Sequence, residues 1–473
     1  MNILLFILFV FILLMLVTLT YYFRHLEGQA QTRQLELKQE NEDPTIEKIS
    51  SSQGYIYTAI ILSSILVLAF IYLSVKGTPW EAHLMEWLNI IIRLMHITFG
   101  IAWIGASFYF VFLENALNRK DISREELAGH LWAIHGGGFY YLEKYKLAPK
   151  TIPRELHWFK YEAYFTWLSG LSLLFVVYYF NARGFLIDVN ILNISPVAAI
   201  TIGLGSFVIG WLLYDLLCKT SLVNKNILFT FVGVVILTGF AYFYSHVFSS
   251  RAAYIHFGAL MGTIMAANVF FVIIPSQKAM VKAARQGNKP DPQLGRNAGL
   301  RSLHNNYFTL PVLFVMISNH FPGTFGNKNG WLILLIISLG TAGVKHYLNL
   351  REKGIYSVWV MPISILVLIS AVIASAPNLS TSVCKTKVPF GEVYTIIQTR
   401  CIACHSSRPS DPSVSAAPNG ITYDTPEKIV KLKDKIMQRV VITKTMPQNN
   451  KTNMTEDERE VIRCWIDQGG EVK

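Results

Sequence analysis

The stretch EWLNIIIRLMHITFGIAWIGASFYFVFLENAL, residues 86–117, decides the fold. A hydrocarbon layer about 30 Å thick needs roughly 20 apolar residues to cross it as a helix. This run is longer than that and carries few charges. Nine further runs follow the same rule: 3–23, 55–75, 158–180, 193–217, 226–247, 253–276, 303–320, 329–350 and 357–377, with the first run itself bounded at 86–113. The segment at 303–320 is interrupted by Asn305, Asn306 and Pro311. The run at 3–23 has no Lys or Arg before it and is longer than a secretory h-region, so it reads as a retained helix.

Composition agrees. The 473 residues are 52% hydrophobic and 15% charged, where a soluble domain carries roughly 25% charged residues. The expected fold class is all-α: a polytopic helical membrane domain of ten spans followed by a small α-helical domain. The net charge of +12 is explained by topology rather than by nucleic acid. The loop 114–157 holds Arg119, Lys120, Arg124, Lys144, Lys146, Lys150 and Arg154. The loop 277–302 holds Lys278, Lys282, Arg285, Lys289, Arg296 and Arg301, and 218–225 adds Lys219 and Lys225. The intervening loops carry one basic residue each. The positive-inside rule puts the rich loops in the cytoplasm and both chain ends outside.

Composition shifts after Ala376. PNLSTSVCKTKVP is a polar linker. FGEVYTIIQ then places Val393, Ile396 and Ile397 at helical spacing. DTPEKIVKLKDKIMQRV opens with a cap residue and Pro426. TEDEREVIRCWIDQGG opens on Thr455 with Glu458 three residues on, a capping box, and stops at Gly469. The boundaries are 1–83 for two extra helices with an acidic loop, 84–377 for the membrane domain, 378–388 for the linker and 389–473 for the C-terminal domain.

That domain contains TRCIACHSSRP, residues 399–409. Cys401 and Cys404 bracket two residues and His405 follows. Two thiols on one turn can join both vinyl groups of a haem, and the next imidazole then meets the iron. A CxxC pair also serves zinc or redox exchange. No His follows His405, so a sixth ligand must be Met. Met446, in the loop TKTMPQNN, is preferred to Met437 and Met454; Met/His ligation raises the potential. Cys384 and Cys464 are left over. They either pair, tying the linker to the last helix, or stand as two buried thiols.

In the membrane domain Arg93, His96, Gly100, Trp103 and Ser107 share one helix face. An imidazole followed by a glycine leaves room for a flat macrocycle, and the string is locally similar to a haem-binding helix of bacterial protoporphyrinogen oxidase. His96 is therefore a candidate haem b ligand and His256 a first choice of partner. A helix–helix hydrogen bond is the competing reading of His96. His96 lies about 14 Å into its helix at 1.5 Å per residue, where a second redox centre could relay electrons across the layer. Further polar groups gather on the cytoplasmic side: His135; His157, Lys160 and Glu162; Arg301, His304, Asn305 and Asn306; Lys345 and His346. His246, His256 and His320 lie towards the outer side. HGGG is found in lipase oxyanion holes, but no GxSxG elbow accompanies it, and no GxGxxG fingerprint appears.

The strings GIAWIGASFYFV, LWAIHGGGFY, HWFKYEAYFTWLSG and HNNYFTLPVLFVMISNH, followed by CxxCH, closely resemble the membrane-bound, cytochrome c-type urate oxidases of bacteria. The resemblance runs from about residue 84 to the end; the two helices before it depart from the family pattern. It implies an inner-membrane oxidoreductase of purine catabolism. Urate would be oxidised to 5-hydroxyisourate with water, and electrons would pass to covalent haem c. They would go on to a respiratory acceptor such as a soluble cytochrome c or a terminal oxidase, without hydrogen peroxide. The bilayer is a partner and nucleic acid is not. Urate is an anion, so Arg93, Lys160, Asn305 and Arg301 are candidate contacts. His135, His157 and His304 are unranked candidates for the base, with Glu162 beside them. The alternative is a non-catalytic electron-transfer or transport subunit.

Overall fold

The computed structural model describes residues 74–75, 78–153, 155–376, 384, 386–411, 414 and 416–472. The expected helices at 3–23 and 55–75 lie outside them, apart from the last two residues of the second. The chain divides into two compact units, Met1–Glu81 and Ala82–Lys473.

The helices follow from apolar runs bounded by caps. Helix α1 covers Pro79–Ala116, and α2, Tyr161–Leu174, continues through a π turn at Phe175–Tyr179. Helix α3, Pro196–Lys219, starts where the Ser195 side chain accepts from Ala198 N–H, with Pro196 in its first turn. Helix α4 is Asn226–Val247. Helix α5, Ser250–Ala267, is capped by Ser249 and runs through a second π turn, Asn268–Ile273, into α6, Ile274–Arg285. Helix α7, Pro292–Ser318, is capped by Asp291 and passes through Pro311. The proline removes one N–H, but flanking turns and packed neighbours hold the helix together. Helices α8, Gly330–Glu352, and α9, Val360–Ala374, complete the bundle.

Among the described residues five stretches are long and apolar enough to cross a bilayer: His83–Ala116, Pro196–Lys219, Asn226–Val247, Ser250–Arg285 and Gly330–Glu352. The run 357–377 forms only the 15-residue α9, and 303–320 is the second half of α7. Helix α5 is the hub. Tyr254, Phe257, Leu260 and Met261 are buried there against Tyr244, Phe248 and Val315. Close approach needs glycine: a Cβ at Gly258 would collide with Val315, and one at Gly210 with Leu260. Ile91, Leu94, Ile97 and Ile101 of α1, and Leu366, Val372 and Ile373 of α9, face outward. Apolar side chains outside and polar ones inside are compatible with a surrounding bilayer.

The all-α expectation needs one correction. Residues Leu127–His135 and Gly138–Tyr145 form antiparallel strands β1 and β2, with His135 opposite Gly138. The HGGG string is thus a two-residue hairpin loop. Gly136 and Gly137 have φ of +58° and +80°, which only glycine adopts readily and which matches the strand twist. Aromatic and aliphatic residues on both sides supply strand preference, and the reading of a loop overlooked that pattern.

The C-terminal segment folds as short helices: α10, Phe390–Arg400; α11, Pro426–Lys431; α12, Lys433–Ile436, with a π turn to Ile442; and α13, Glu456–Asp467. Val393, Ile396, Ile397, Ile462 and Trp465 form its core. The Thr455–Glu458 capping box is present, and Gly469 and Gly470 end the helix at positive φ. Arg400 joins α10 to α13 by pairing with Glu458 at 2.9 Å. Cys384 and Cys464 are disulfide-bonded, tying the linker to the last helix. The segment docks on the end of the bundle that carries the loops around 181–195 and 319–329. Gln448 Nε2 donates to Gly184 O at 2.6 Å, and Asn449 Nδ2 donates to Ile187 O at 3.0 Å.

Candidate functional site

Helix α10 ends at Cys401, whose N–H still donates to Ile397 O. The next turn closes when Cys404 and His405 N–H both donate to Cys401 O. His405 is then clamped twice. Its Nδ1 bonds Ile421 O at 3.0 Å and its carbonyl accepts from Tyr423 N–H at 2.9 Å. Burial lowers the His405 pKa, favouring the neutral ring. With Nδ1–H spent on the backbone, Nε2 carries the free lone pair, the arrangement typical of a metal-bound imidazole. Both thiols are free. Burial pushes Cys401 up to about 12, the opposite of the low pKa a thiol–disulfide exchanger needs. Among the described residues no three His, Cys, Asp or Glu gather as a metal site, so zinc has no further ligands here. The residues therefore fit covalent haem c attachment.

The three methionines differ in position. Met454 is buried in the core, while Met446 packs on its rim. Met446 N–H donates to Arg439 O at 3.0 Å, and Met446 O accepts from Arg459 Nη1 at 2.8 Å. Met437 opens the π turn.

At the other end of the bundle a buried polar network spans three elements. Arg301 of α7 donates from Nη2 to Asp215 Oδ1 of α3 at 2.6 Å, and from Nη1 to Asn268 Oδ1 at 3.2 Å. Asn268 opens the π turn after α5. It donates to Asn305 Oδ1 at 2.9 Å and to the Tyr214 hydroxyl at 3.2 Å. His304 Nδ1 lies 2.8 Å from that hydroxyl, and its ring stacks on Phe229. A π turn widens a helix locally and is common at functional sites; here it is what turns Asn268 towards Arg301 and Asn305.

Of the residues read from sequence, Arg301, His304 and Asn305 join this network. His135 closes the β-hairpin, and His157 packs edge-on against Phe159 in the loop before α2. Lys160 Nζ lies over the Tyr161 ring at 4.7 Å. Glu162, in the first turn of α2, buries Oε2 without a hydrogen-bond partner. Arg93 donates to Asn89 on its own helix. His96 Nδ1 lies 3.0 Å from Thr166 O and 3.2 Å from Ser169 Oγ, with the ring against Gly170. The helix–helix hydrogen bond of the competing reading of His96 is thus present, and it leaves Nε2 over. His256 has both nitrogens engaged, Nε2 with the Tyr179 hydroxyl at 3.1 Å and Nδ1 with Ala252 O at 2.8 Å. That leaves none for iron. His246 and His320 are exposed.

Asp215, Asn268 and Tyr214 were not singled out in the sequence. The signal existed for two of them: an aspartate in LLYDLLCK and an asparagine in MAANVFF stand in otherwise apolar helices, where polar groups are costly. Their meeting with Arg301, 86 residues from Asp215, is not a local property.

No curated protein matches the chain, and no solved structure does. A family model described as Urate oxidase N-terminal matches residues 82–376, which is most of the chain and all of the bundle from α1 to α9 but the first three residues of α1. The chain belongs to the urate oxidase N-terminal family.

Proposed function

We propose that this chain is a membrane-bound urate oxidase that converts urate to 5-hydroxyisourate with water. The carrying observation is the family match over a bundle to whose end a CxxCH unit of the same chain is docked. The reaction adds the oxygen of one water at C5 of urate and releases two protons and two electrons. Cys401, Cys404, His405 and Met446 are the residues that would hold a haem c, and when bound the group would supply a one-electron acceptor between urate and a respiratory chain. Hydrogen peroxide is then not a product.

The chain's own residues supply the rest. His304, held through Tyr214 and Asn268, is the best placed of the candidate bases, because it alone of His135, His157 and His304 joins the buried network. Asn305 and Arg301 orient that network. Asp215 lies 19 residues along α3 from its start, roughly 28 Å at 1.5 Å per residue. A site there is therefore far from the docked unit and needs a relay. His96 keeps the part of a haem b ligand, since Thr166 O holds its ring; His256 does not fit as its partner. The orientation proposed places the C-terminal unit and both chain ends outside the inner membrane.

The test is anaerobic turnover of urate by the purified full chain with a soluble cytochrome c as acceptor. Two equivalents of reduced cytochrome per urate, with no peroxide, are expected. A chain loaded with haem that leaves urate unchanged would refute the reading and favour an electron-transfer subunit.

A further inference from the structure

Helix α8 buries a lysine. Lys345 is 1% exposed, and its Nζ stands 4.0 Å from the centroid of the Phe108 ring on α1. Among the described residues no carboxylate lies within ion-pair distance of it: Glu352, two turns further along α8, attracts it only at longer range and accepts from Asn115 Nδ2 through Oε2. One turn from Lys345 on the same face is Asn349, 3% exposed, which donates from Nδ2 to Asn306 Oδ1 on α7 at 3.0 Å. Asn306 is fully buried. The two carboxamides bond each other once, and Asn349 also meets the Tyr307 hydroxyl. Nδ2 of Asn306 and Oδ1 of Asn349 are buried without partners. Turning both amides over exchanges the open atoms but still leaves one donor and one acceptor. A native interior seldom leaves such groups open, and a buried cation usually has its counter-charge.

One cation, one donor and one acceptor beside an aromatic ring form a recognition pattern for a planar anion with alternating N–H and C=O groups. We propose that Lys345, Asn306 and Asn349 bind the urate anion. The ammonium neutralises its charge, and the two amides pair with one carbonyl and the neighbouring N–H on its edge. This rests on urate as the substrate and names which residues hold it. The cluster adjoins the His304–Asn305 network, because Asn305 and Asn306 are neighbours on α7 facing Asn268 and Asn349 respectively.

The test is equilibrium dialysis of radiolabelled urate against the full-length protein in detergent, without electron acceptor. Lys345→Met, close in shape, should weaken binding roughly 10- to 100-fold, the range for losing one hydrogen bond to a charged group. Asn306→Leu keeps the charge and should weaken it about 10-fold. Gel-filtration profile and haem content identify folded variants. If wild type binds urate in a Lys345-dependent way but does not turn it over, the site stands and the oxidase reading falls. If wild type oxidises urate and either folded variant binds it as tightly as wild type, the site is wrong and the oxidase reading stands. If wild type binds no urate, both fall.

Discussion

The buried pair Arg301–Asp215 should be a large single contribution to the stability of the bundle, and its two halves should be unequal. Both side chains are below 10% exposed and meet at 2.6 Å. Removing one partner of such a pair costs about 3–5 kcal/mol, because the other charge is left buried. Asp215→Asn leaves the Arg301 guanidinium with neutral acceptors alone: the new carboxamide oxygen, Asn268 Oδ1 at 3.2 Å and the main-chain carbonyl of residue 215 at 3.5 Å. It should cost about 4 kcal/mol. Arg301→Met leaves the Asp215 carboxylate with Lys219 Nζ at 2.6 Å, but the lysine is 69% exposed. An exposed partner contributes at most about 1 kcal/mol, so this variant should cost about 3 kcal/mol. The double variant removes both charges and should cost roughly 2–3 kcal/mol instead of the additive 7 or so, a coupling of about 4–5 kcal/mol. Arg301→Lys should not rescue, since one ammonium cannot reproduce the fork that reaches Asp215 and Asn268 together. The assay is reversible unfolding in mixed micelles with increasing anionic detergent, followed by far-ultraviolet circular dichroism. Single-variant costs that add to within about 0.5 kcal/mol in the double variant would refute the argument, as would an Arg301→Met cost exceeding that of Asp215→Asn.

Three further outcomes follow from the same structure. Cys401→Ala/Cys404→Ala should abolish the haem-stained band on a denaturing gel, and Met446→Leu should lower the reduction potential while Met454→Leu, in the core, should chiefly destabilise the fold; a lowered potential in Met454→Leu alone would move the ligand there. Reporter fusions after Glu155 and after Val388 should report opposite sides of the membrane, and a shared side would overturn the topology. Burial pushes the Glu458 carboxyl up, but Arg400 and the Thr455 N–H outweigh it and hold the group below its ordinary 4.5; the folded pKa is the depressed one, so this pair stabilises the C-terminal unit above about pH 4.5 and its contribution fades as pH falls through the folded value. Glu458→Gln should therefore flatten the acid limb of a stability profile, and an unchanged limb would count against the pairing.

The helical bundle was readable because its signals are local. A long apolar run must satisfy its backbone within itself, which makes it a helix whatever surrounds it. Thr455 and Glu458 make a capping box by adjacency, and the CIACH turn needs only five residues. Cys384 and Cys464 could be offered as a pair but not assigned, because cysteine count leaves the choice open; the fold brings them together. HGGG was legible as a hairpin loop in principle, since two glycines separate strand-like runs. Polar residues inside apolar helices could be flagged one by one, but not grouped. His135, His157 and His304 are equivalent as letters. Packing puts the first on a hairpin, the second in a loop and only the third within reach of Tyr214. His256 looked free until Tyr179 and Ala252 were seen to occupy both its nitrogens. Sequence by itself determined most helices among the described residues and the Thr455–Glu458 cap, because those depend on neighbours in the chain. Tertiary structure alone decided that Asp215 meets Arg301, that Asn306 meets Asn349, and that Lys345 is buried over Phe108, because these depend on which helix faces touch after packing.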